Sequence, residues 1–104
     1  MSEHEGERPH YRVDIPPELK GGVYANFFTV WHSAYEFTLD FSATQRPELA
    51  EDEASVVIPC QLVSRVRMPV TLIFDLLKVM NQSMTHYEEA FGEIRPPRPQ
   101  EGAA

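Results

Sequence analysis

Three neighbouring residues of this chain could do chemistry together: His32, Ser33 and Glu36 have the types needed for a base, a nucleophile and an orienting acid. Acyl transfer by such a trio also needs an oxyanion hole and a preorganised pocket, and no glycine-rich turn or pocket-forming motif accompanies it. The simpler reading is a hairpin turn whose backbone is held by the Ser33 hydroxyl. His86 with Glu88 or Glu89, joined in space by His32, would be a set of metal ligands. No HExxH, His-x-His or paired Cys/His spacing supports it. The residues therefore point to a protein that is not an enzyme and uses no metal or cofactor; an enzyme built on His32 and Glu36 ranks behind every binding role.

Arg65 and Arg67 stand two apart on one strand face, a geometry that grips phosphate or carboxylate. Glu36 and Asp40 share a face of the preceding strand, so pairing across strands or across subunits uses both arginines. Asn26 falls on an otherwise apolar strand face, where an amide must find partners. Bonding to backbone at a strand end or across an interface satisfies it.

The bulk properties narrow the partners. The chain has 104 residues and a formal net charge of -7. That field repels phosphate backbones, so no nucleic acid is expected. A single cysteine, Cys60, cannot form an intrachain disulfide and suits a reducing compartment. No run approaches the roughly 18 apolar residues of a membrane span, and residues 1–10 lack an apolar leader region. The expectation is a cytoplasmic protein with no membrane partner.

The elements that position these groups follow from hydrophobic period. Pro16-Pro17 and Gly21-Gly22 punctuate a polar stretch, giving a flexible arm over residues 1–21. Strand one runs from Val23 to Trp31 and strand two from Glu36 to Phe41; a loop of two or four residues sets Val30 opposite Phe37, Phe28 opposite Leu39 and Asn26 opposite Phe41, whereas a three-residue loop slips the pairing by one and swaps the faces of strand one. Residues 42–55 read as a solvated connection. Strand three spans about Val56 to Met68, with Pro59 at its start, an edge or a bulge. Leu62, Ser64, Val66 and Met68 then share one face, and Gln61, Val63, Arg65 and Arg67 the other. Pro69 suits the first turn of a helix reaching Phe91, and Gly92 fits its stop. Residues 95–104 form a disordered proline-rich tail. The fold class is α+β: an antiparallel hairpin, a third strand and one long amphipathic C-terminal helix make a single β-β-β-α domain over residues 22–94, with flexible tails.

Strand one has apolar residues on both faces, whereas strand two alternates cleanly. The helix carries a seam, Ile73, Leu77, Met80, Met84, Tyr87 and Phe91, with steps of four, three, four, three and four. Leu72, Leu76 and Val79 widen its first half, which is expected to pack on the sheet. One helix covers one sheet face. Phe27, Thr29 and Trp31 on the second face, together with the helical seam, therefore read as an interface with another copy of the chain or another protein. The leading expectation is a homodimer or dimer of dimers acting as an adaptor or scaffold. The alternative is a chaperone-like module that binds extended apolar peptide segments.

Several short strings carry a resemblance: Val23-Tyr24-Ala25-Asn26, His32-Ser33, Glu36-Phe37, Leu39-Asp40-Phe41 and Tyr87-Glu88-Glu89-Ala90-Phe91-Gly92-Glu93-Ile94. Over residues 22–94 the chain resembles the family called domain of unknown function 3467, a group of short prokaryotic proteins. The resemblance implies strands followed by a long helix and supplies no mechanism. Members usually place a serine before the helix-opening proline, where this chain has Met68, and a positively charged first turn, where it has Leu72-Ile73-Phe74-Asp75. A serine N-cap contributes about 1 kcal/mol. Apolar packing of Leu72, Ile73 and Phe74 is expected to offset its loss.

Overall fold

Strict alternation along strand two makes it the strand with which everything else pairs. In the computed structural model, which describes residues 8–96, β1 (Phe27–His32) and β5 (Cys60–Pro69) flank β2 (Glu36–Thr44) in a three-stranded antiparallel sheet. Between β2 and β5 a separate two-residue ladder joins β3 (Glu48–Leu49) to β4 (Val56–Val57). A 3-10 turn, Val70–Leu72, then leads into α1 (Ile73–Phe91). The class is α+β, an antiparallel sheet with one C-terminal helix. Of the expected arm and tail, residues 1–7 and 97–104 lie outside the described residues. The described part of the arm is exposed and carries one 3-10 turn, Pro17–Leu19.

The hairpin register sits two residues along from the expected one: Val30 faces Leu39, Phe28 faces Phe41 and His32 faces Phe37. An even shift leaves every side chain on its expected face. The turn sets it. Ser33 donates its N–H to the Glu36 carbonyl at 3.0 Å, and its Oγ accepts from the backbone N–H groups of Tyr35 and Glu36 at 3.1 and 3.3 Å. The Ser33 hydroxyl thus takes the role expected of it, centring the turn on Ala34-Tyr35.

β1 starts at Phe27 rather than Val23, and Asn26 is the reason. Its side-chain Oδ1 accepts the Thr44 N–H at 2.9 Å, while its Nδ2 donates to Thr44 Oγ1 at 2.9 Å. Continuing the ladder would place Ala25 opposite Thr44. The amide occupies that donor instead, so backbone pairing ends and Val23 and Tyr24 leave the sheet exposed.

Strand three is likewise interrupted. Val56–Val57 belongs to the small ladder, and the sheet strand begins at Cys60, directly after Pro59, whose carbonyl accepts the Gln45 N–H at 2.8 Å. A bulge follows, because Phe41 faces Ser64 while Ser42 faces Leu62. The extra residue, Val63, moves Leu62 onto the face of Thr38 and Asp40, away from Ser64, Val66 and Met68.

The helix departs furthest from expectation. Its end at Phe91 matches, but Pro69 belongs to β5 rather than to its first turn, and its sustained contacts are with the 3-10 turn rather than with the sheet. Pro69 ends β5 with φ -64° and ψ 150°, and Val70 already begins the turn. The helix leaves from the end of the sheet. Leu72 and Phe74 are accordingly exposed, and no side chain caps the helix start.

At the other end Gly92 has φ 99° and ψ 174°, a conformation open essentially to glycine alone. The Gly92 N–H closes the last helical turn on the Glu88 carbonyl at 2.9 Å, and the Gly92 conformation turns the chain so that the Ile94 N–H reaches Glu88 Oε2 at 2.9 Å. Gly92→Ala meets no atoms, so its cost, about 1–3 kcal/mol, is backbone strain alone. Faster amide exchange at residues 92 and 94 reports it. Asn26→Ala should cost about 1 kcal/mol and expose the Thr44 amide to exchange; unchanged protection at Thr44 would remove the clamp from the account.

Candidate interaction interface

The register sorts the sheet into two chemically distinct faces. One gathers Phe28, Val30 and His32 from β1, Phe37, Leu39 and Phe41 from β2, and Ser64, Val66 and Met68 from β5. His32 stacks on Phe37 with ring centroids 5.3 Å apart, which extends this apolar surface to the turn. Among the described residues Met68 is the one buried apolar side chain. Phe28 remains 63% exposed. This face was expected to lie under the helix and is open.

The second face covers itself. Arg65 holds Asp40 with two parallel hydrogen bonds, Nε to Oδ1 at 2.7 Å and Nη2 to Oδ2 at 2.8 Å. Trp31 Nε1 donates to Asp40 Oδ2 at 3.5 Å, and the Arg65 guanidinium lies 5.8 Å from the Trp31 ring centroid. Arg67 donates to Glu36 Oε1 from Nε at 2.8 Å and from Nη2 at 2.6 Å. Beneath this layer Thr38 is 2% exposed. The arginines thus find the two carboxylates of β2, as the strand pattern anticipated. Hydrogen bonding from Arg65, reinforced by Trp31 and outweighing the opposing effect of desolvation, holds the Asp40 carboxyl below its usual range. The same pairing raises Arg65.

Phe27, Thr29 and Trp31 lie on this second face, exposed around the charged layer. Ile73 is half-buried at the start of α1, whereas Leu77, Met80, Met84, Tyr87 and Phe91 are exposed along it. Leu77, Met80 and Met84, with Lys78 and Asn81, line a shallow apolar groove. The Tyr87 and Phe91 rings pack 5.0 Å apart. The strand trio and the helical seam are not brought together within the chain. Phe28, Val30 and Val66, exposed on the first face, escaped the sequence reading because the helix was assigned to cover them. The signal was available in Pro69-Val70, a strand end and a helix start with nothing between.

The other candidates are engaged locally. Ser33 Oγ accepts two turn N–H groups, the Glu36 carboxylate is held by Arg67, and Glu88 caps the chain beyond the helix. Cys60 is a free, exposed thiol. Among the described residues no group of three His, Cys, Asp or Glu side chains is placed to hold a metal ion, and no helix is long and apolar enough to cross a membrane.

The sequence profile of a family described as "Protein of unknown function (DUF3467)" matches residues 1–96. No curated protein and no solved structure matches the chain.

Because the folded Asp40 carboxyl ionises below an unfolded aspartate, near 3.9, its contribution to stability is complete above that value. It is lost as pH falls through the folded pKa. Urea midpoints taken from about pH 5 down to about pH 2.5 should decline less steeply for Asp40→Asn than for the parent, at one fixed protein concentration. Parallel declines would mean that the pair contributes nothing to acid sensitivity.

Proposed function

The chain belongs to a family whose description names no activity, and from that premise we propose that it is a non-enzymatic scaffold or adaptor that works as a homo-oligomer in the cytoplasm. One observation carries the reading. Phe28, Val30 and Val66 on the sheet and Leu77, Met80 and Met84 along α1 are all exposed, while Met68 is the one buried apolar side chain among the described residues.

The exposed apolar side chains cluster on two elements. Large side chains are exposed on the sheet at Phe28, Val30 and Val66, and along α1 from Phe74 to Phe91. Patches of this extent on a water-facing chain mark association surfaces. Phe27, Thr29 and Trp31 supply a second, more polar patch suited to joining two dimers. Cys60, exposed and single, is compatible with a reducing cytoplasm.

A second reading rests on the strand order, which leaves β1 at the sheet edge beside Phe28 and Trp31. An extended apolar segment of another protein could add there as a fourth strand.

Light scattering decides between them. The wild type should have a mass that is a multiple of 11.9 kDa, and Leu77→Glu/Met84→Glu should lower it. Phe27→Glu should convert a tetramer to a dimer if the second patch joins dimers. A folded wild-type monomer whose Trp31 fluorescence responds to apolar peptides, with no change in mass, would replace the scaffold by the peptide-binding module.

A further inference from the structure

We propose that the open apolar face of the sheet is covered by α1 of a second copy of this chain, so that two chains exchange helices. The inference rests on the homo-oligomer reading and adds which surfaces meet. Each chain carries two unshielded apolar surfaces of different shape: a flat one centred on Phe28, Val30, Leu39 and Val66, and a rod with its stripe through Leu77 and Met84. Joining sheet face to sheet face would leave both rods in water. Joining rod to rod would leave both sheets in water. Exchange covers all four surfaces with one kind of contact, repeated twice about a two-fold axis, and it closes.

The chain's own helix does not do this. β5 ends at Pro69 and the helical turn begins at Val70, whose N–H donates to the Tyr35 carbonyl at 3.4 Å. That contact holds the 3-10 turn Val70–Leu72 beside the hairpin turn, and the sustained contacts of α1 are with that turn rather than with its own sheet. A helix pointing away from its own sheet is available to a neighbour's.

Size and chemistry fit. α1 has 19 residues, about 28 Å of rod, while β2 and β5 have 9 and 10 residues, about 30 Å of sheet. The apolar face bears no charged side chain among its β1, β2 and β5 positions from Phe28 to Met68, apart from the titratable His32 at its end. Lys78 and Asn81 flank the stripe and would remain at the solvent rim. The missing serine cap also finds its place, because Leu72 and Phe74, exposed in one chain, enter the same interface.

The test uses the full-length chain with Cys60→Ser as background. Val30→Cys is mixed separately with Leu77→Cys, Met80→Cys or Met84→Cys, and each mixture is treated with a short bismaleimide after partial unfolding and refolding to exchange subunits. At least one mixture should give a covalent dimer in substantially higher yield than either member alone. In parallel, Val30→Glu and Leu77→Glu should each be monomeric, and their mixture should regain dimer, since one sheet and one helix remain intact in the pair. Cross-linking of Val30→Cys with itself would show face-to-face sheets and overturn the exchange. So would cross-linking of Leu77→Cys with itself, which would show paired rods. A wild-type oligomer in which no mixture cross-links also overturns it while leaving the scaffold reading standing. A monomeric wild type removes both.

Discussion

A strand that becomes a helix without a linker governs this molecule. Pro69 is extended and its successor is helical, so the direction of α1 is set by the end of β5 rather than by the apolar stripe it carries. In most small α+β domains a reversing loop lets the helix roof the sheet, and one amphipathic stripe satisfies one sheet face. Here that closure is not made. The consequence is a chain with a regular sheet and helix and hardly any core: hydrogen bonds are made, whereas Phe28, Val30 and Leu77 face water.

The two sheet faces meet this constraint differently. On the polar face, side chains of one strand answer those of the next. Asp40 accepts from Arg65 and Trp31, Glu36 from Arg67, and Thr38 is buried below them. Exposed ion pairs contribute little to stability. Their effect is to occupy the guanidinium groups, leaving neither arginine as a ready anion site, while Phe27 and Trp31 on the same face stay exposed. No such arrangement is possible on the apolar face, because Phe28, Leu39 and Val66 have nothing to offer one another except contact area. Only another layer removes them from water.

Much of this was legible in the residues. Period-two alternation placed β2, Gly92 marked the helix stop, Ser33 the turn, and Arg65 with Asp40 the polar layer, each because a local rule decides it. The hairpin faces depended on loop length, which the residues left open; the Ser33 turn settles them by centring on Ala34-Tyr35, two residues along from the pairing of Val30 with Phe37. What escaped depended on competition between groups. The Asn26 amide displaced a backbone partner and shortened β1; the Val63 bulge turned Leu62 over; Pro59 separated Val56 and Val57 from the strand they were assigned to. The covering of the sheet escaped for a further reason. Amphipathicity says that a helix has an apolar stripe and is silent on whose surface the stripe meets, and the absent linker after Pro69 outweighs it.

On the helix-exchange reading, the scarcity of core ties folding to assembly. With Met68 the one buried apolar side chain among the described residues and Phe37, Leu39 and Phe41 half-buried, hydrophobic burial within one chain offsets little of a backbone ordering cost of roughly 1–2 kcal/mol per residue. Hydrogen bonds in a three-stranded sheet exposed on both sides do not close that gap, because each replaces a bond to water. On the helix-exchange reading, most of the driving force appears only when the second chain arrives. Stability is then inseparable from concentration. On the same reading the neighbour's helix supplies the missing layer in a chain whose single cysteine allows no intrachain disulfide.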